Sequence, residues 1–270
     1  CLSRKAPGKG TEEQVMAANV NVVFVVTEAG QDFNLRRMER YFTVMLRSGA
    51  RSVVLLNKSD LYPDEINQMA KDALEALNPE VEVILTSAIE SSGVATIRRY
   101  LEPGVTIALI GSSGVGKSSL INQLIGQDWL WTGEVNGVTG KGMHTTTARE
   151  LLPLKAGGML IDNPGIREVQ VWTDAKTLKE SFRDFDEVAA ECKFHDCKHR
   201  SDKGCAIQAA IEAGTLSRER FINYLKLDFE LEKLSQRQKK RELTVSRRTR
   251  RELKSKADKY SRKSPREGRR

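Results

Sequence analysis

At 270 residues, 39% hydrophobic and 30% charged, the chain can bury the core of one ordinary α/β domain and a smaller second unit. The net charge of +8 is uneven: residues 237–270 hold 16 Lys and Arg against 4 Asp and Glu, net +12, which leaves −4 for the 236 residues before them. No apolar run comes near the roughly 18 residues of a membrane span, so a membrane-spanning helix is set aside and a cytoplasmic location is expected.

The chain opens at Cys1, and residues 1–17 are expected to be a linker out of a missing N-terminal domain. Residues 21–27 (NVVFVVT) have the continuous apolar character of a central strand, and residues 35–47 the spacing of an amphipathic helix stopped at Gly49. A second apolar strand, residues 51–56, runs straight into Asn57-Lys58-Ser59-Asp60. Helical spacing follows over 64–77 behind Pro63, then a third strand over 81–85 leading into Thr86-Ser87-Ala88, then a helix over 93–101. The run 105–110 delivers Gly111-Ser112-Ser113-Gly114-Val115-Gly116-Lys117-Ser118-Ser119, where a helix begins. Residues 129–143, with Gly133, Asn136, Gly137, Gly140 and Gly142, have no clean period and read as a mobile loop leading to His144. Residues 151–154 and 158–161 read as strands around a tight turn, the second ending in Asp162-Asn163-Pro164-Gly165. Strands alternating with helices at this pitch predict a mostly parallel α/β sheet over 18–172. Beyond Thr173 the strands stop, and residues 176–191, 206–213 and 217–234 read as helices of a small domain over 173–236. Residues 237–270, basic and nearly free of large apolar groups, are expected to be largely disordered alone.

Four strand-end motifs carry the chemistry. Gly111 and Gly116-Lys117-Ser118 fit the phosphate-loop pattern, in which backbone N–H groups face phosphate oxygens at the positive end of a helix. Lys117 would reach the outer phosphates and Ser118 would offer its hydroxyl to Mg²⁺. In Asn57-Lys58-Ser59-Asp60, the Asp60 carboxylate is the bidentate acceptor that matches guanine's N1–H and exocyclic amine. Adenine would leave that carboxylate unpaired. Ser87-Ala88 would add a backbone contact to the base. Asp162 would act on Mg²⁺ through a bound water, and the Gly165 N–H would sense the γ-phosphate. A hydroxyl from Thr145–Thr147, with Thr146 as the choice, would join the metal when GTP is bound. Ordinary GTPases run phosphate loop, Thr, D-x-x-G, N-K-x-D; here the base-reading motif comes first, so the sheet is circularly permuted. The D-x-x-G segment therefore leads directly into the C-terminal unit.

That unit holds Cys192, Cys197, His199 and Cys205, three thiols and an imidazole at metal-site spacing, which predicts one structural zinc, with His195 competing with His199 as ligand. Lys193, His195, Lys198, Arg200 and Lys203 around it suit a surface that touches phosphate backbone.

The permuted order, the GSSGVGKSSLIN string, Gly142–Thr147, the Asp162–Gly165 turn and the Cys/His cluster together resemble the RsgA/YjeQ family of circularly permuted GTPases. The resemblance covers about residues 15–235. It implies a permuted P-loop GTPase domain, then a helical zinc-binding domain, with an RNA-binding OB-fold preceding them. It also implies slow intrinsic GTP hydrolysis, stimulation by the small ribosomal subunit and its rRNA, and a role in late subunit maturation as a monomer. Ile166 stands where Ras-like proteins carry the water-orienting glutamine, and His144 is the nearest polar candidate for that role. The opposing reading is a zinc-containing RNA-binding module that uses GTP as a structural ligand or switch.

Overall fold

The computed structural model describes residues 1–6, 11–126, 135–136, 141–142, 149–155, 157–163, 171–200 and 202–263. In chain order these give β1 (Leu2–Lys5), β2 (Glu13–Ala17), β3 (Val22–Glu28), α1 (Leu35–Ser48), β4 (Arg51–Asn57), α2 (Asp64–Leu77), β5 (Glu82–Leu85), α3 (Val94–Arg98), β6 (Thr106–Gly111) and α4 (Lys117–Ile125). Then follow two two-residue strands, β7 (Val135–Asn136) and β8 (Lys141–Gly142), and the strands β9 (Glu150–Pro153) and β10 (Met159–Asp162). The C-terminal unit is α5 (Ala175–Ser181), α6 (Arg183–Ala189), α7 (Ala206–Glu212) and α8 (Arg218–Lys263).

Six strands form one sheet in the order β5-β4-β3-β6-β10-β9, all parallel except β9, which pairs antiparallel with β10. A parallel sheet covered on both faces needs strands that are apolar on both sides, and β3 is buried along its whole length. Its alternation assigns the two cores. Val23 and Val25 join Val54, Leu56, Ala108 and Ile110 beneath Met38, Tyr41 and Met45 of α1. Val22, Phe24 and Val26 join Val53, Leu55, Ile107 and Leu109 against Leu120 and Ile121 of α4. Because the strands run parallel, β3, β4, β5, β6 and β10 all end at the same edge, and that edge carries Asn57–Asp60, Ser87-Ala88, the phosphate loop and Asp162.

Two regions differ from the sequence expectation. Residues 1–17 contain a β1/β2 hairpin rather than a linker; Leu2 is fully buried, Ser3 donates to Glu13, and Arg47 of α1 pairs with Glu13 at 3.2 Å. The strands are too short for their alternation to stand out in sequence. The basic segment, expected to be disordered, continues α8 through Lys263. Charge density argues for disorder, but from Thr215 to Ser264 the chain has no Gly or Pro, and an amphipathic first half seeds the helix. Arg248 and Glu252, one turn apart, pair at 3.1 Å, and Arg241 pairs with Glu12 of the hairpin segment at 2.7 Å.

Helix α1 is the platform on which the C-terminal helices sit. Asn34 caps it by accepting the Arg37 N–H, and Gly49, at φ 71°, ends it in a left-handed turn that favours glycine. Phe182, Phe185, Phe221 and Leu227 share the core of Met38, Tyr41 and Met45. At the seam, Arg220 of α8 pairs with the buried Glu39 at 2.9 Å and with Asp184, and its guanidinium lies over the rings of Phe182 and Phe185. Asn223 donates a second bond to Glu39. Burial raises the Glu39 pKa, opposed by Asn223 and Arg220. Removing the cation from such a pair leaves a buried charge, so Arg220→Ala is expected to cost about 3 kcal/mol near neutral pH. The raised folded pKa makes the sign definite: the loss should shrink as pH falls through the carboxylate range and Glu39 takes up a proton. Urea unfolding at pH 7 and pH 4.5 checks this; an equal loss at both would show that the pairing is not the cause.

Candidate nucleotide site and metal cluster

The phosphate loop joins β6 to α4, and its glycines are required by contact. Gly111 (φ 152°) and Gly116 (φ 92°) both have left-handed backbones; a Cβ on the first would run into the Val26 carbonyl, and on the second into the Asn57 side chain. Lys117, at the first turn of α4, is 7% exposed and donates to the carbonyls of Gly111 (3.1 Å) and Ser112 (2.7 Å). Its ammonium is thus folded back across the loop mouth. Burial pulls its pKa down to about 8, with Asp162 and Asp32 pulling the other way. Asp162 is fully buried at the end of β10, paired in register with Leu109 of β6, and Asn163 donates to the Leu109 carbonyl at 3.3 Å.

Two strands away, the turn after β4 is stitched to its neighbours. Asn57 is 1% exposed, donates to the Val115 carbonyl of the phosphate loop at 2.8 Å and accepts from Thr86 at 3.1 Å. The Ser59 N–H reaches the Thr86 carbonyl at 3.1 Å, locking the turn to the end of β5. Lys58 takes a left-handed backbone (φ 59°) and launches a single 3-10 turn, Ser59–Leu61, which presents Asp60 as a partly exposed carboxylate. Ser87 is buried and its hydroxyl accepts the Glu90 N–H, which turns the chain so that Ala88 lies against the second core. Asn57 therefore braces the phosphate loop, and Asp60 presents a carboxylate beside it.

In the C-terminal unit, one ligand atom from each of Cys192, Cys197, His199 and Cys205 lies within 4.8 Å of all the others. His199 Nδ1 is 3.5 Å from both the Cys192 and Cys205 sulfurs. Bonds of about 2.3 Å to sulfur and 2.0 Å to nitrogen give a tetrahedral edge of about 3.5 Å, so the four residues fit a zinc ion. His199 adopts φ 56°, and its backbone carbonyl accepts from Gln208 of α7 at 2.6 Å, which anchors this turn to α7. Burial resists ionisation of Cys192, but the N–H groups of Ala206 and Ile207 outweigh it and hold its pKa below the usual thiol value. His195 is exposed and outside the cluster.

A family model described as RsgA GTPase matches residues 1–172, well over half of the chain. The chain belongs to the RsgA GTPase family. A second model, described as 50S ribosome-binding GTPase, matches residues 106–246. A protein named small ribosomal subunit biogenesis GTPase RsgA from Opitutus terrae is 46% identical over 230 residues, covering 85% of this chain and 62% of that protein. An RsgA of the same description from Methanosarcina acetivorans is 45% identical over 231 residues, with 86% and 62% covered. The chain thus spans less than two thirds of the length of these relatives. Among solved structures, YjeQ from Thermotoga maritima is similar with a TM-score of 0.58 at 27% identity, covering 79% of this chain and 72% of that one. YloQ, described as a circularly permuted GTPase, shares the fold with a TM-score of 0.56, covering 80% of this chain and 69% of that one, at 24% identity.

The permuted order expected for an RsgA-type fold is therefore the order of the sheet: β3, β4 and β5 precede the phosphate-loop strand β6. The structure brings Asn57–Asp60, Ser87, Ala88, residues 111–119 and Asp162 to one sheet edge. Gly165, His144 and Thr146 lie outside the described residues. Sequence reasoning missed two participants at this edge. Thr86 holds Asn57, and Glu28, at the end of β3, pairs with Lys58 at 2.8 Å. The signal was present, since Glu28 is the one charged residue on the otherwise uncharged strand VVFVVTE.

Proposed function

We propose that this chain binds GTP and GDP, hydrolyses GTP slowly by itself, and acts in late maturation of the small ribosomal subunit, which accelerates the hydrolysis. The reading rests on one observation: the phosphate loop, the guanine-matching Asp60 and the buried Asp162 end at the same sheet edge of an RsgA-family chain. An incoming nucleotide would replace the loop carbonyls as the partners of Lys117, whose ammonium would swing onto the outer phosphates. The loop N–H groups from Ser112 to Ser119 would hold the phosphate oxygens, with Ser113, Gly114, Val115 and Gly116 closest to the turn. Bound Mg²⁺ would neutralise charge on the β- and γ-phosphates, held by Ser118, Thr146 and, through water, Asp162. The Gly165 N–H would meet the γ-phosphate. His144 would orient the attacking water, since Ile166 cannot. Zinc at Cys192, Cys197, His199 and Cys205 would keep the C-terminal unit folded. We place the GTPase domain at residues 18–172 and the zinc unit at 173–236, in a cytoplasmic monomer; among the described residues no helix is long and apolar enough to cross a membrane. Phosphate release by the purified chain tests the core of this reading: slow turnover of GTP and none of ATP is expected, and equal turnover of both would contradict it.

The basic end of α8 supplies an RNA-facing element for that role. The helix beyond Leu234 is 29 residues long, about 44 Å, and its side chains from Arg241 to Glu252 are exposed. Deleting residues 237–270 is expected to weaken binding to ribosomal RNA and to flatten its dependence on salt, because fewer counterions are released. A salt slope identical to that of the whole chain would remove the segment from the RNA interface.

A further inference from the structure

Glu28 has no part in the motifs above, yet it lies between them. It ends β3, the strand that separates the phosphate-loop strand β6 from β4, and is paired in register with Asn57. Its side chain is only 10% exposed, and its carboxylate pairs with the Lys58 ammonium at 2.8 Å. Tyr62, just past the Ser59–Leu61 turn, lies near the same carboxylate: burial and the Glu28 charge raise its pKa. The Tyr62 ring lies so close to Gly30 that a Cβ there would collide with it. The start of the base-reading turn is therefore tied to a buried carboxylate through Lys58, and Tyr62 at its other end packs beside Gly30.

We propose that Glu28 is the positioning residue of the base-reading turn, holding the Lys58 ammonium so that its alkyl stem forms the wall on which a purine lies and Asp60 faces the base edge. A lysine free to move would be drawn toward phosphate or solvent, and the flat side of the pocket would be lost. With its charge matched by Glu28, Lys58 contributes surface rather than attraction. The inference rests on the reading of this edge as a guanine-nucleotide site.

The test uses the whole chain and fluorescent N-methylanthraniloyl-GDP, with GTP turnover measured alongside. Glu28→Ala is expected to weaken GDP binding about tenfold and to raise KM for GTP by a similar factor, with kcat at saturation changed less than twofold. Glu28→Gln, which keeps an acceptor but loses the charge, should fall between the two, about threefold. In a Lys58→Met background, Glu28→Ala should change affinity less than twofold, because there is no ammonium left to hold. Parental affinity in Glu28→Ala overturns the proposal, as does an undiminished tenfold loss in the Lys58→Met background. Should Glu28→Ala fail to fold, the Glu28→Gln comparison, with and without Lys58→Met, decides by the same criterion. A parent chain that binds no guanine nucleotide would instead overturn the reading of the site itself.

Discussion

Asp60→Asn is expected to lower affinity for GDP and GTP by about a hundredfold or more while xanthine nucleotides become the better ligands. Guanine offers two parallel donors, N1–H and the 2-amine, to two carboxylate oxygens. An asparagine offers one acceptor and one donor, which suits xanthine's N1–H and its C2 carbonyl and leaves guanine's amine facing another N–H. The turn that carries Asp60 should be unaffected. Its conformation depends on the left-handed Lys58, the Ser59 N–H bond to Thr86 and the Asn57 brace to Val115, none of which uses the Asp60 side chain. Competition binding with GDP, XDP and ADP reads the switch directly. Retained preference for GDP in the variant would mean that the base edge is recognised elsewhere.

Loss of the metal should have the second large effect. The chain is expected to carry about one zinc, and chelation should release several kcal/mol of local folding energy, opening residues 191–216 before the sheet. The cluster is what ties this stretch together. Cys205 begins α7, Cys192 accepts the Ala206 N–H, Lys193 bonds to Gly204, and the His199 ring meets Phe221 edge-on. His199→Ala should lose the metal and His195→Ala should keep it, since only His199 reaches the sulfurs. Metal analysis with limited proteolysis of the chelated protein checks both. A metal-free chain with the same cleavage pattern as the loaded one would refute the structural role, and metal loss in His195→Ala alone would reverse the ligand assignment.

The parts that the sequence makes legible are those where chemistry demands a residue at a fixed offset. Gly111 and Gly116 are required by collisions with Val26 and Asn57, so the phosphate loop reads directly from its spacing. Cys192, Cys197, His199 and Cys205 converge because four ligand atoms must, and their spacing shows it. The permuted strand order was legible from the order of the motifs alone. What was not legible depends on contacts between distant segments. Asn57 has a second task that the sequence does not show, since its side chain also braces Val115 and Thr86. Glu28 becomes informative only when β3 is known to lie beside β4. The hairpin of residues 2–17 is secured by Arg47 of α1 and Arg241 of α8, partners that no local pattern reveals. In α8, composition suggested disorder where the absence of a helix breaker mattered more.

Helix α1 also joins the nucleotide edge to the C-terminal helices. The β3–α1 connection leaves the nucleotide edge beside Lys58 and Tyr62 and enters α1, whose Glu39, Arg40 and Thr43 hold Arg220, Glu230 and Ser181 of the C-terminal unit, and whose Arg47 holds the Trp172 carbonyl just before it.

The central proposal is that this RsgA-family chain would hydrolyse GTP fastest when assembled on the small ribosomal subunit. The most direct test is GTP turnover by the chain at saturating nucleotide, alone and with purified small subunits, with His144→Ala in parallel. Turnover should rise at least tenfold with subunits, and His144→Ala should lose most of that rise while keeping slow basal turnover. Turnover that is unchanged by small subunits under conditions where the chain binds them would contradict the account.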